Sequence, residues 1–288
     1  MFPVVEHFFD PVTFTFSYVV FDEKTQHAVI IDPVSDYDTA SGEISYQSAN
    51  KLLAFVNKNN LRVEWIIETH AHADHITAAQ YLQDQLQAKV AIGEGIVKAQ
   101  KHFAKVFNLD DNFAIDGRQF DHRFIDNESF KLGNINCKVM STPGHTDDSM
   151  TYLIGDAAFI GDTLFHPQIG TARCDFPGGD AKILYQSIQK ILNLPEDTRL
   201  FLCHDYPTIN RLPISQVSIE KQRQSNIHVN ERVTEQDFIA FRQERDAMLS
   251  APKLIYPSIQ INIAAGKLPS VESNQCQYLK IPITVKKD

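Results

Sequence analysis

Thr69-His70-Ala71-His72-Ala73-Asp74-His75 (THAHADH) is the stretch on which the reading of this chain turns. It packs three imidazoles and a carboxylate, all groups that bind a metal ion or a proton, into six consecutive residues. The preceding Arg62–Glu68 (RVEWIIE) is apolar and β-prone and predicts a strand running into a core. The following segment, from Ile76 to about Leu86, places Ile76, Ala79, Leu82 and Leu86 on one helical face. The motif then sits in the turn between a strand's end and a helix's start, where rigid elements aim side chains. His70 and His72 are two apart, so an extended backbone points both the same way. Asp74 and His75 swing off as the backbone turns, giving a second cluster beside the first. One histidine here would read as a satisfied polar residue, and Asp74 as a helix N-cap. Three histidines around an aspartate read as a metal site.

Working outward, Val4–Phe9, Thr13–Asp22 and His27–Asp32 predict three successive strands, the second alternating with period two as a sheet with one buried face does. Asp32-Pro33 closes that meander, and Val34–Glu43 reads as polar loop. Ser45–Asn59 predicts a helix with Leu52, Leu53 and Val56 inward; a strand at Lys89–Ile92 and a helix near Gly95–Phe107 continue the alternation. From Arg118 to Met140 the pattern is β again, with Gly133-Asn134 as a hairpin turn. Ala181–Asn193 carries a helical stripe of Ile183, Leu184, Ile188, Ile191 and Leu192. The fold class expected is α+β: two sheets packed inside with helices outside.

Three more donor sites arrive at predicted strand ends: His145 in Ser141-Thr142-Pro143-Gly144-His145-Thr146, Asp162 in Phe159-Ile160-Gly161-Asp162-Thr163, and His204 in Arg199-Leu200-Phe201-Leu202-Cys203-His204-Asp205-Tyr206. Each alone is an ordinary turn or cap. Their repeated placement, an acid or imidazole at a strand's carboxyl end, makes them one site.

Size and composition suit this reading. With 288 residues, 43% hydrophobic and 22% charged, the chain can bury a large core. A net charge of −9 argues against nucleic acid or an anionic membrane as main partner. No apolar run approaches a membrane span, and Met1–Asp10 has the pattern of neither a signal nor a transit peptide. Cys137, Cys174, Cys203 and Cys276 lie far apart, as reduced thiols of a cytoplasmic protein do.

His70-x-His72-x-Asp74-His75, with His145, Asp162 and His204, resembles the metallo-β-lactamase superfamily over at least residues 1–210. That resemblance implies an αββα sandwich with one or two metals at the sheet edges. In two-metal members of the family, His70, His72 and His145 would hold one ion, and Asp74, His75 and His204 the other, with Asp162 bridging. Gly170-Thr171-Ala172-Arg173-Cys174-Asp175-Phe176 and His204-Asp205-Tyr206 are similar to the persulfide dioxygenase branch, and closest to its bacterial β-lactamase-like group. The C-terminal segments Pro257–Asn262 and Tyr278–Pro282 are similar to that bacterial group as well. Cys174 departs from the mitochondrial type, where a Thr is usual, and no rhodanese domain is expected to follow.

The branch resemblance implies one Fe(II) per chain on His70, His145 and Asp162. His72, Asp74, His75 and His204 would then orient those ligands or hold a second metal. The expected reaction joins a small-molecule thiol persulfide, such as glutathione persulfide, with O2. A zinc hydrolase of thioesters with one or two Zn(II), and a non-catalytic metal-binding module, are the alternatives. Asp162, Tyr206 and Arg173 are the expected catalytic residues, and Arg173, Tyr206, Thr146 and Cys174 the expected substrate contacts. Arg173 would clamp a carboxylate, or else pair with Asp175. Cys174 beside Arg173 would have a depressed pKa, or else be a buried small hydrophobe. Residues 211–288 read as an appendage on the catalytic domain and a candidate homodimer contact: a polar helical stretch over Ile214–Arg232, a helix over Thr234–Leu249, then extended chain from Ala251.

Overall fold

Strands β1 (Val4–Asp10), β2 (Thr15–Phe21) and β3 (His27–Ile31) form an antiparallel meander, paired as Phe8↔Ser17 and Val19↔Ile30. All of β2 is buried, against the expectation of one exposed face. The alternation is real, but each face of the strand meets its own apolar layer. Phe16, Tyr18 and Val20 point toward a second sheet, whereas Val19 and Phe21 point toward helices. The computed structural model describes residues 2–207, 209 and 211–285.

After β3 come β4 (Val34–Tyr37), β5 (Ile44–Ser45), helix α1 (Gln47–Lys58), β6 (Arg62–Ile67) and β7 (Ile76–Thr77). The stretch expected as loop therefore holds one short strand, β4, and β5 takes Ile44 with Ser45, where the helix was expected to begin. β4 pairs with both β5 and β7 in a small separate sheet. That pairing also delays the next helix: Ile76 and Thr77 are drawn into β7, and α2 (Ala79–Leu86) starts after them, with Thr77 Oγ1 accepting from Ala79 N–H at 3.0 Å. β8 (Lys89–Gly93), α3 (Ile96–Val106) and β9 (His122–Phe124) complete the first half, and β3, β6, β8 and β9 run parallel.

The second half begins with β10 (Ser129–Leu132) and β11 (Ile135–Ser141), turning at Gly133-Asn134 as predicted. It continues through β12 (Met150–Ile154), β13 (Ala157–Phe159), α4 (Ala181–Leu192), β14 (Arg199–Phe201), β15 (Gln216–Ser218), α5 (Ile219–Ser225), α6 (Glu235–Asp246) and α7 (Ile255–Asn262). Asp180 caps α4 by accepting from Ile183 N–H, and Thr234 caps α6 by accepting from Asp237 N–H. Only α5 is helical within the stretch 214–232. α7 interrupts the segment expected to be extended. Pro257 is its third residue, where the missing N–H removes no intrahelical bond.

Two six-stranded sheets result, ordered β1-β2-β3-β6-β8-β9 and β10-β11-β12-β13-β14-β15. Phe16, Tyr18, Ile31 and Ile67 of the first meet Val139, Tyr152, Phe159 and Phe201 of the second between them. Leu52 and Val56 of α1, Leu82 of α2, Ile96 of α3 and Ile259 of α7 cover the outer face of the first sheet. Leu184 and Ile188 of α4 and Phe238 of α6 cover the second. This is the αββα sandwich. Each fully buried Leu, Ile or Phe in these layers contributes roughly 1.5–3 kcal/mol, which holds the strands' carboxyl ends in fixed relation. Among the described residues no helix is long and apolar enough to cross a membrane.

Candidate metal centre

Five strands end at one edge of the sandwich, and each is followed by a donor. Asp32 follows β3, His70–His75 follow β6, His145 follows β11, Asp162 follows β13 and His204 follows β14. Two glycines make the approach possible. Gly144 has φ +128°, and a Cβ there would lie 2.3 Å from the backbone N of Leu184, so the Pro143-Gly144 turn sits directly on α4 and presents His145. Gly161, with φ +51°, would meet Thr69 Oγ1 at 2.8 Å and lets Asp162 close on the histidine loop.

Among the described residues, four overlapping groups of donors have ligand atoms within 4.8 Å of one another; two consist of the expected residues alone, His70, His145 and Asp162, and His72, Asp74, His75 and His204, and two bring in Cys203, with Asp32 and His72 or with Asp162 and His204. Asp162 straddles the first two. Its Oδ2 is 3.9 Å from His70 Nε2 and 3.7 Å from His145 Nε2, and its Oδ1 is 3.4 Å from His204 Nε2. His204 Nε2 is also 3.2 Å from Asp74 Oδ2. One placement differs from the two-metal pattern implied by resemblance: His72 groups with Asp74, His75 and His204 rather than with His70 and His145. The reason lies behind the ring, where Asp32 Oδ1 takes its Nε2 at 3.0 Å.

The second nitrogen of each ring decides what the first can do. His145 Nδ1 donates to the Arg173 carbonyl at 2.7 Å, and His204 Nδ1 to the Phe14 carbonyl at 3.2 Å. His70 Nδ1 lies 3.1 Å from Thr69 Oγ1, which itself donates to Asp32 Oδ2. His75 Nδ1 lies 3.4 Å from Thr15 Oγ1. His70 Nε2, His72 Nδ1, His75 Nε2, His204 Nε2 and Asp162 Oδ1 are buried with no hydrogen-bond partner. Buried polar atoms are rarely left so. Rings fixed by an outer acceptor, with a lone pair aimed inward, are the arrangement of metal-ligating histidines, and the donor set fits a metal ion.

Electrostatics agree. Burial, reinforced by His72, pushes His70 well below the ordinary imidazole value; burial and His75 do the same to His72, so both stay neutral and able to ligate. Burial acts to raise Asp74, but His204 and His75 outweigh it and hold the carboxyl well below its usual range. For His204 burial is again opposed: Asp162 and Asp74 raise it overall. Behind these donors, Asp32 accepts Thr69 N–H at 2.7 Å, and burial lifts its pKa. Glu68 is lifted further by burial and Asp32, with Oε2 3.7 Å from His72 Nε2. Asp148 Oδ2 accepts Ala71 N–H at 2.7 Å. None of Asp32, Glu68 or Asp148 was a candidate from sequence. Asp32-Pro33 reads as a turn, and the one available signal was an acid directly after the apolar run Val29-Ile30-Ile31.

A cleft of about 450 Å³ opens over His145 and Asp162, walled by Phe165, Phe176, Tyr206 and Arg245. A smaller cavity of about 140 Å³, reaching Thr146, lies beyond His145 and Phe176. Tyr206 stands in the cleft wall with its ring stacked 6.0 Å from His204; burial and Asp74 raise its pKa, so the phenol stays neutral. Thr146 Oγ1 is 2.7 Å from Ser149 Oγ. Arg173 is not free to clamp a substrate: Nε and Nη2 each meet Asp175 at 2.6 Å, and Nη1 donates to the Ser250 carbonyl at 2.7 Å. Its contribution to the centre is the backbone carbonyl under His145. Cys174 also departs from expectation. Burial and Asp246 push its thiol up to about 12, because Sγ lies 3.3 Å from Asp246 Oδ2, a neighbour invisible in the local sequence.

The metallo-β-lactamase superfamily profile matches residues 10–204. The chain belongs to the metallo-β-lactamase superfamily. It is a member of a family of metal-dependent enzymes, with a His/Asp centre at the expected strand ends. It is 47% identical over 271 residues to Glyoxylase B2 of Dictyostelium discoideum, covering 93% of each chain. It is 30% identical over 206 residues to the mitochondrial persulfide dioxygenase ETHE1 of Homo sapiens, covering 70% of this chain and 68% of that one. The crystal structure of ETHE1 from Myxococcus xanthus superposes with a TM-score of 0.72 at 30% identity, covering 92% of this chain and 100% of that one.

Proposed function

We propose that this metallo-β-lactamase superfamily member is an iron-dependent persulfide dioxygenase acting on a low-molecular-weight thiol persulfide, with one Fe(II) per chain. In the balanced reaction, one persulfide, one O2 and one water give one thiol, one sulfite and two protons. The outer sulfur gives up four electrons and O2 takes up four, so no further reductant enters. The observation that carries this reading is the His70–His145–Asp162 set: Asp162 Oδ2 stands 3.9 and 3.7 Å from the Nε2 atoms of His70 and His145, and His145 and Asp162 line an open cleft. Two imidazoles and one carboxylate on one face suit Fe(II) and leave positions open. When bound, Fe(II) supplies the one-electron exchange with O2 that a persulfide alone performs poorly.

The residues around it have separate tasks. The Arg173 carbonyl fixes the His145 tautomer, and the Thr69–Asp32 pair fixes His70. Phe165 and Phe176 line an apolar wall against which the persulfide packs, with the cleft still open to the water the reaction consumes. Tyr206, held as neutral phenol, offers an O–H to a developing sulfur-bound oxygen. The test is an oxygen electrode: iron-loaded protein given glutathione persulfide should consume one O2 per sulfite formed. Sulfite without O2 uptake, or neither, contradicts the reading.

A second reading draws on a specific feature, the completeness of the His72–Asp74–His75–His204 group with Asp162 between the two groups. A pair of zinc ions held there would supply a nucleophilic water for thioester hydrolysis, in line with the name of the Dictyostelium relative. S-lactoylglutathione hydrolysis by zinc-loaded protein, with no O2 uptake by iron-loaded protein, would establish that reading instead.

A further inference from the structure

Asn262 closes α7, is 4% exposed, and has no part in the chemistry above. Its side chain crosses to the histidine loop. Nδ2 donates to the carbonyl oxygens of His72 and of His75, both at 2.8 Å, and Oδ1 accepts from Thr77 N–H at 2.9 Å. Both N–H donors and the oxygen of one carboxamide are thus spent on one loop. Residues 68–75 have no strand or helix ladder to satisfy their backbone, so these carbonyls depend on a partner from elsewhere. That partner comes from 190 residues further along the chain. The contact is seated firmly: Ile259 and Ile263 pack with Ala71, Ala73 and Ala78, and Gln100 Nε2 donates to the Ile263 carbonyl at 2.8 Å. Thr77 carries the connection inward, its Oγ1 donating to buried Glu68 beside His72.

We propose that Asn262 is a positioning residue of the metal centre, which acts through the backbone of His72 and His75 to set the spacing of their imidazoles. The C-terminal helix then completes a site whose ligands all precede it in sequence. This holds whichever reaction the centre runs. A residue that merely filled space in α7 would affect stability but not metal affinity once the protein is folded.

Two variants separate these roles. Asn262→Asp keeps the shape and one acceptor but turns an oxygen toward two carbonyl oxygens, whereas Asn262→Ala removes all three bonds. Gln260→Ala is the control: it breaks the bonds between α7 and Lys280 without touching the histidine loop. The probe is Zn(II) alone, added to metal-free full-length protein in competition with a chromophoric chelator, with far-UV circular dichroism confirming the fold. Both Asn262 variants should bind Zn(II) about 10- to 100-fold more weakly, and Gln260→Ala within about twofold of the parent. Unchanged affinity in Asn262→Ala, or equal weakening in Gln260→Ala, overturns the proposal. Should the Asn262 variants fail to fold, the parent still provides a test by 15N NMR. The Asn262 side-chain amide should exchange slowly and shift on Zn(II) saturation; an amide pair unmoved by Zn(II) overturns the assignment equally.

Discussion

Replacing Asp162 by alanine should have opposite consequences for the metal-loaded and metal-free protein. Asp162 places Oδ2 3.9 and 3.7 Å from the Nε2 atoms of His70 and His145, and Oδ1 3.4 Å from that of His204, so one carboxylate reaches both halves of the centre. Four-ligand zinc sites are worth roughly 10–16 kcal/mol, which assigns about 3–4 kcal/mol to one ligand and predicts metal binding weaker by about 100- to 1,000-fold. Without metal the same carboxylate is a burden, since Asp162 is 7% exposed and its Oδ1 has no partner. Removing it should raise metal-free stability, by up to about 1 kcal/mol. The assay pairs Fe(II) content after anaerobic purification with urea unfolding of the chelated protein. Iron content equal to that of the parent refutes the ligand assignment. A metal-free variant weakened by more than about 3 kcal/mol would make Asp162 a structural residue instead.

Asp246→Ala should cost about 3–5 kcal/mol in urea unfolding, because it strips the carboxylate from Arg242, which is 1% exposed; a loss under about 1 kcal/mol would deny the pair its role. Cys174, with its thiol pushed up to about 12, should react with iodoacetamide after the exposed Cys276 at neutral pH, and mass mapping that finds Cys174 labelled first contradicts this. Burial, with Arg242 and Arg245, holds His228 down at about 4, whereas the unfolded chain takes up that proton near 6.5. A depressed folded value means that the contribution of His228 to stability is complete above the upper value and is lost as pH falls toward the lower. After allowance for solvent screening it amounts to roughly 1–2 kcal/mol. His228→Gln should flatten the fall of Tm across that window, and an unchanged slope counts against the account.

The clustering of the candidate donors was legible in sequence because each follows an apolar strand, and a strand's carboxyl end is where a sandwich can bring distant donors together. His145, Asp162 and His204 carry that signal locally. What supports them is nonlocal. Asp32 looks like a turn former until β3 and β6 lie side by side and bring it to Thr69 N–H. Asn262 sits in a segment that Pro257 marks as irregular, and only the packing of Ile259 and Ile263 on the histidine loop reveals its reach. Charge signs mislead for the same reason: Arg173 is the neighbour of Cys174 in sequence, but Asp246 is its neighbour in space. Alternation in β2 reported the strand correctly but could not report that α1 covers its second face.

The central claim is that His70, His145 and Asp162, donors from three strand ends, hold one Fe(II) and leave room above it. Anaerobic titration of metal-free protein with Fe(II) tests this most directly. The account predicts saturation at one ion per chain in the parent, and no tight binding in Asp162→Ala. Tight binding of two ions per chain, or unaltered binding in the variant, would contradict it.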